Sequence, residues 1–236
     1  MSKIEYDKEL FDFVNNLSAI TNSISFFVDE ETNDSVHVVQ SDANKSMLYT
    51  LNVPKRYFNI NDTISFYKYD NFYSFLNTVK DPILEIDYDD GIIDISNSAV
   101  KINYILSDSE GILMDPRPVI NFDSGDIKFT LLDDDIHEIV KINNLIKGTK
   151  ANIKCVDNEI FITFYSESSD NSFTKKFDGE RVGDYVDDIE FTVMADRFIV
   201  IPQKNDYSVD ISKDAFIRIS LIHDEIDFNL YSGEVQ

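Results

Sequence analysis

The sequence predicts an α+β chain, mostly strand, made of two similar domains, and three observations lead there. The first is self-similarity, whose neglect would misassign the whole fold. Ile64 to Ser96 (ISFYKYDNFYSFLNTVKDPILEIDYDDGIIDIS) has a counterpart in Ile189 to Leu230 (IEFTVMADRFIVIPQKNDYSVDISKDAFIRISLIHDEIDFNL), half a chain later. In each, an alternating strand with an inward Phe (Phe66, Phe191) leads into a short, acidic-started helical segment. A proline (Pro82, Pro202) and further alternating strands follow. At nearly the same offset, IEYDKELFDFVNN from Ile4 matches TLLDDDIHEIVKINN from Thr130, with Leu10 on Ile136, Phe13 on Ile139, Val14 on Val140 and Ile20 on Ile146. The second observation is composition: 18 Phe, 12 Tyr, abundant Ile and Val and no Trp favour strands. The third is size, since 236 residues at 43% hydrophobic content fill one large core or two smaller ones, and the repeat decides for two.

In chain order, a short strand at Ile4 to Tyr6 precedes Asp7, which is placed to cap a helix reaching about Ile20. Leu10, Phe13, Val14, Leu17 and Ile20 form one stripe of that helix, with Lys8, Asp12, Asn15 and Ala19 opposite. Strands are expected at Ile24 to Val28, Ser35 to Gln40 and Met47 to Val53. A second helix, Asp70 to Val79, is expected to bury Phe72, Phe75, Leu76 and Val79 and to show Ser74, Asn77 and Lys80. Three strands follow, two joined by the tight-hairpin pair Asp90-Gly91, and the last is Val100 to Leu106. From Ser107 to Ser124 the periodicity fails and prolines appear, so the domain boundary lies there: residues 1–110, a connector at 111–124, and residues 125–236. The second half repeats the order, with a strand at Ile127 to Leu132, a helix from Asp133 to about Lys147, and strands at Ala151 to Val156, Glu159 to Tyr165 and Ser172 to Phe177.

The chemistry of an enzyme is missing from this pattern. His37, His137 and His223 share no ligand spacing, and there is no glycine-rich phosphate loop or GxSxG turn. Asp133-Asp134-Asp135 is read as a cap with first-turn acids at the positive end of a helix, ahead of a metal-binding cluster. Asp87, Asp89 and Asp90 lack the remaining ligands of a calcium loop and read as a hairpin turn. Cys155, alone in an alternating run, is a small buried apolar residue. No signal-like segment and no run of about 18 apolar residues occurs, so a soluble, non-exported protein is expected. The net charge of −23 would repel nucleic acid and anionic membranes if evenly spread. A basic patch on one face still survives in an acidic protein, because charges more than about 8 Å apart are largely screened at physiological salt.

With its two-fold repeat of strand, amphipathic helix, three strands, a strand with a second short helix and a closing meander, the chain resembles the DNA sliding clamps of the PCNA-like superfamily. Within it, the chain looks most like the compact clamps of T-even-type tailed phages. The residues carrying the resemblance are ELFDFVNNLSAI, the ISFYKYDNFYSFLNTVKDPILEIDYDDGIIDI block, and the run from DIHEIVKINNLIKG to DFNLYSG. It implies a two-domain DNA-clamp fold, strands outside and helices lining a ring, assembled as a homotrimer around duplex DNA without reading its sequence. It implies a processivity factor for DNA polymerase, served by a clamp loader, with no catalysis and no cofactor. It also implies action in the cytoplasm of an infected bacterial host. Carried over by position, the DNA-facing residues are Lys8, Asn15, Lys80, His137, Lys141, Asn144, Lys147, Arg197 and Lys204. Any one of these lysines also fits an ordinary solvated helix face, and Asp12 and Asp70 share those faces. The edge strands that would join subunits hold Lys101, Ile102, Tyr104 and Leu106 on one side and Phe173, Lys175 and Phe177 on the other; both also read as ordinary strands of a monomer. The pocket for a polymerase C-terminal peptide would use Val36, Val38, Ile112, Leu113, Met114, Pro116 and Tyr231, although the apolar cluster at 112–114 equally suits packing back on its own domain. The competing reading from charge alone is an acidic DNA mimic that occupies a DNA-binding protein. That reading requires acids on one continuous face and has no need of a repeat.

Overall fold

Each half of the chain folds an amphipathic helix with strands in two antiparallel runs, as the repeat requires. The computed structural model describes residues 2–29, 33–42, 46–107, 122, 125–157, 159–182 and 188–235. Two compact units emerge: Met1–Asp42, Thr50–Pro118 and Glu225–Asp227 form one, and Ala43–Tyr49, Val119–Asp224 and Phe228–Gln236 the other.

In the first half of the chain the elements are β1 (Ser2–Ile4), α1 (Lys8–Leu17), β2 (Ile24–Val28), β3 (Ser35–Ser41), β4 (Met47–Pro54), β5 (Ile64–Phe66), α2 (Tyr69–Thr78), β6 (Ile83–Asp87), β7 (Ile92–Ser96) and β8 (Lys101–Ile105). One run has the order β1-β6-β7-β8 and another β4-β3-β2-β5. Asp7 caps α1 as its position suggests: its carboxylate accepts from the backbone N–H of Glu9 at 2.7 Å and of Leu10 at 3.3 Å. The apolar stripe of α1 is buried, Leu10, Phe13, Val14 and Leu17 with it. Phe11, outside the expected stripe, is the hub of an aromatic core, its ring 4.9 Å from Phe58, 5.2 Å from Tyr6 and 5.9 Å from Phe72. The turn between β6 and β7 is the expected hairpin. Gly91 supplies a positive φ of 62°, and the Asp87 carboxylate accepts from the N–H groups of Asp89 and Asp90, which is the work of a turn acceptor.

The second unit repeats the order with β9 (Ile127–Leu131), α3 (Asp133–Ile146), β10 (Lys150–Val156), β11 (Glu159–Tyr165), β12 (Ser172–Asp178), β13 (Glu180–Arg181), β14 (Ile189–Met194), β15 (Tyr207–Ser212), β16 (Phe216–Leu221) and β17 (Asp227–Gly233). One run is β12-β11-β10-β14 and the other β13-β9-β15-β16-β17. Matched to the first unit, β9-β15-β16-β17 repeats β1-β6-β7-β8, and β12-β11-β10-β14 repeats β4-β3-β2-β5. Of the acids at the start of α3, Asp135 caps the helix by accepting from the N–H of Leu132, while Asp133 ties in a distant segment by accepting from the N–H of Lys204 at 2.6 Å. The helix ends where Lys147 enters the left-handed region at φ 56° and the Asn143 amide donates to the Gly148 carbonyl. A Cβ at Gly148 would lie 2.3 Å from the Asn143 amide oxygen, so a larger residue there would displace the amide that closes this end. Cys155 is fully buried, and burial pushes its thiol up to about 12.

One expectation fails. Phe75 is not buried but 41% exposed, because it lies one position outside the stripe that Tyr69, Phe72 and Leu76 turn inward. The counterpart of α2 forms as a short helical segment, Ala195–Phe198, but as a 3-10 turn and not an α-helix. Ile199, Val200 and Ile201, β-branched and followed by Pro202, which has no N–H to donate, stop the helix from propagating.

Because Phe11 touches rings from so many elements, Phe11→Ala is expected to cost about 3–5 kcal/mol in urea-induced unfolding. A loss below about 1 kcal/mol would show that the aromatic cluster is not the first unit's core.

Candidate nucleic-acid face, strand edges and connector anchor

The helices and the segments beside them carry part of the chain's basic character. Lys8 on α1, Lys80 just beyond α2, and His137, Lys141 and Asn144 on α3 are exposed, as are Lys147 and Lys204, while Asn15 is half-buried. Acids share these segments: Glu9, Asp70, Asp134 and Glu138 are exposed too. His137 is turned back on its own helix, Nδ1 lying 3.0 Å from the Asp133 carbonyl and 3.1 Å from its carboxylate. The remaining exposed positions are largely neutral amides and hydroxyls: Asn16, Asn71, Ser74, Asn77 and Thr78. Neutral donors of this kind can bond an anion without any means of reading base sequence.

Arg197 does not belong to this face. It is 2% exposed, its Nε donating to the Ser232 hydroxyl at 3.0 Å and its two terminal nitrogens to Asp196 and Ser46 at 2.7 and 2.8 Å. The 3-10 turn that replaces an α-helix points this guanidinium inward, where its fork is satisfied internally.

Among the described residues, β8 ends its run opposite β1, and β12 ends its run opposite β14. Along β8, Lys101, Asn103 and Ile105 face outward, while Ile102 and Tyr104 are half-buried. Tyr104 packs at a tilt on Phe66 and edge-on against Phe72, and donates to the Lys68 carbonyl. Leu106 is half-buried, its N–H donating to Gly91. On β12, Phe173 packs on Phe164, and Lys175 is turned toward α3. Phe177 is a correction to the expected contact residues: at 7% exposure, with its ring 4.7 Å from Phe129, its side chain is core, and only its backbone lies at the edge.

The expected peptide pocket divides in three. Ile112, Leu113, Met114 and Pro116 lie outside the described residues. Val36 and Val38 are 0% and 1% exposed, on the inward side of β3, and so do not line a surface pocket. Tyr231 is half-buried and meets the ring of Phe122 edge-on, with centroids 6.3 Å apart.

Around that contact lies a feature that sequence reading missed. Across the sheet, Lys128 on β9 pairs with Asp210 on β15, Asp210 with Arg218 on β16, and Arg218 with Tyr231 on β17. Asp210 is thus held by Lys128 at 3.2 Å and Arg218 at 2.8 Å, and it is only 2% exposed although it alternates with inward-facing residues. The Arg218 guanidinium in turn lies 4.9 Å from the centre of the Phe122 ring. Gly125 approaches so closely that a Cβ there would sit 2.8 Å from that of Asp210, and the Asp126 N–H donates to the Ile211 carbonyl at 2.7 Å. Phe122, and separately Gly125 and Asp126 ahead of β9, therefore meet the sheet at this ionic row. No local motif announces the row, because it exists only once three strands are in register. Asp210→Asn keeps the volume but removes the charge that Lys128 and Arg218 share. Since both cations are partly exposed, the expected loss is about 2–3 kcal/mol in urea unfolding, below that of a fully buried pair. An unchanged midpoint would show the row to be inert.

The architecture is that of the sliding clamps, a mixed fold of few helices and many strands. Among solved structures, the chain matches the proliferating cellular nuclear antigen of Entamoeba histolytica with a TM-score of 0.76 at 15% identity, covering 99% of this chain and 98% of that one. It matches that of Thermococcus kodakaraensis with a TM-score of 0.74 at 11% identity over 99% of both chains. It also matches A. fulgidus PCNA bound to the C-terminal region of FEN-1, at 0.72 and 11%, over 99% of this chain and 98% of that one. No family model matches the sequence, and no curated protein does.

Proposed function

We propose that this chain is a sliding clamp: a non-catalytic ring of three copies that encircles duplex DNA and tethers a DNA polymerase to its template. The observation that carries the reading is the fold, matched over 99% of this chain in each of these two structures. The doubled architecture supports it, because two similar units per chain and a terminal strand on each suit a head-to-tail contact that closes by rotation. In this arrangement β8 of one copy pairs with β12 of the next. The polar, nearly neutral helix faces suit a surface that must slide, and topology supplies the retention that weak phosphate contacts do not. A partner peptide fits the same reading, since one matched structure holds the C-terminal region of FEN-1. The polymerase as partner, a loader, an origin in a tailed phage and action in the bacterial cytoplasm rest on the sequence resemblance.

Light scattering over a dilution series tests assembly first: three copies of the 27.2 kDa chain are expected, and a strict monomer at high concentration would overturn the reading. Encirclement is tested on linear duplex DNA. The protein should remain on DNA whose ends are blocked by bound proteins and be lost when one end is freed by cleavage. Indifference to the ends would mean ordinary binding instead.

The cations are tested separately. Replacing Lys141 and Lys147 with Glu, both exposed, should leave the unfolding midpoint within about 0.5 kcal/mol of wild type. The same change should weaken salt-sensitive DNA retention by about tenfold or more. Undiminished retention would place the DNA on another surface.

A further inference from the structure

The two terminal strands carry three lysines between them, and each is already held by an acid of its own chain. Lys101 of β8 lies 2.6 Å from Asp94, whose side chain is 1% exposed. Lys175 of β12 lies 2.9 Å from Asp135 and is bonded to Glu138 as well, and Lys176 is bonded to Glu159. These acids hold all three ammonium groups charged. For Lys101 and Lys176 the carboxylate hydrogen bond is the main cause; for Lys175 the two carboxylates outweigh a desolvation that acts the other way. Beside the polar residues that these strands expose, Asn103, Ser172 and Thr174 among them, lie apolar groups. Ile105 is 75% exposed and Val100 43%, Phe75 packs on Tyr104, and Leu145, 76% exposed, sits on the helix that Lys175 ties to β12.

Against this stands a charge of −23 on every copy. Bringing such chains together costs self-repulsion that added salt screens. An interface held by ion pairs would lose them to the same screening, but here the edge lysines are already committed within their own chain. Resting on the ring reading, we propose that copies of this chain join through backbone pairing and apolar side chains without an ion pair across the contact, so that the ring tightens as salt rises. Clamp closure and DNA contact then answer salt in opposite directions.

Sedimentation velocity over a dilution series, at 0.05 and 0.5 M KCl, reads this directly. The concentration at which the ring half-dissociates should fall by about tenfold or more at the higher salt, as the screening length shrinks from roughly 14 to about 4 Å. Potassium thiocyanate at about 0.3 M should tighten the ring as chloride does, because screening follows ionic strength. Ile105→Ser should raise the half-dissociation concentration at every salt, and Lys176→Gln should leave it within about twofold. A ring that loosens with salt, is indifferent to it, tightens only in chloride, or fails with Lys176→Gln overturns this inference and leaves the clamp reading intact. A monomer under every condition overturns both.

Discussion

A strand offers hydrogen-bonding groups along both of its sides, so every open sheet must end on a strand with one side unmet. That constraint organises this chain. Each unit carries sheets of which one ends, among the described residues, on a terminal strand, β8 in the first and β12 in the second. Proteins usually blunt such edges with charge, shortness or cover, since bare edges invite aggregation. Here the lysines that might have blunted them are folded back onto Asp94, Glu159 and the start of α3. On the proposed ring reading these edges are left for pairing with other copies, and the strongly negative charge of the whole chain opposes indiscriminate pairing.

The architecture was largely legible because its signals are local and doubled. Asp7, the stripe of α1 and Asp90-Gly91 each act within a few residues, and an imperfect signal in one half could be checked against the other. Legibility failed where contacts are distant. Arg197 read as a helix-face cation because its segment resembles α2 in order and polarity, yet a β-branched run and a proline shorten that segment to one turn and reverse the side chain. Val36 and Val38 read as pocket walls from position alone; strand alternation made them core. The row Lys128–Asp210–Arg218 joins residues up to 90 positions apart, and only strand register brings them together.

Its helix faces show how an acidic chain can present a surface compatible with polyanions. Rather than concentrating lysines, it dilutes acids, filling α2 and the end of α1 with Asn, Ser and Thr. Neutral donors form weak and interchangeable hydrogen bonds, and interchangeable contacts are what motion along a repeating backbone requires.

Cys155 has a practical consequence for anyone wishing to watch this molecule. It is the chain's single cysteine, it is fully enclosed, and its thiol is held well above the range in which thiolates form at neutral pH. Native protein is therefore already a silent background for thiol-directed dyes. A cysteine introduced at an exposed helix or loop position would take the label alone, with no need first to empty a core site that β10 has closed around its sulfur.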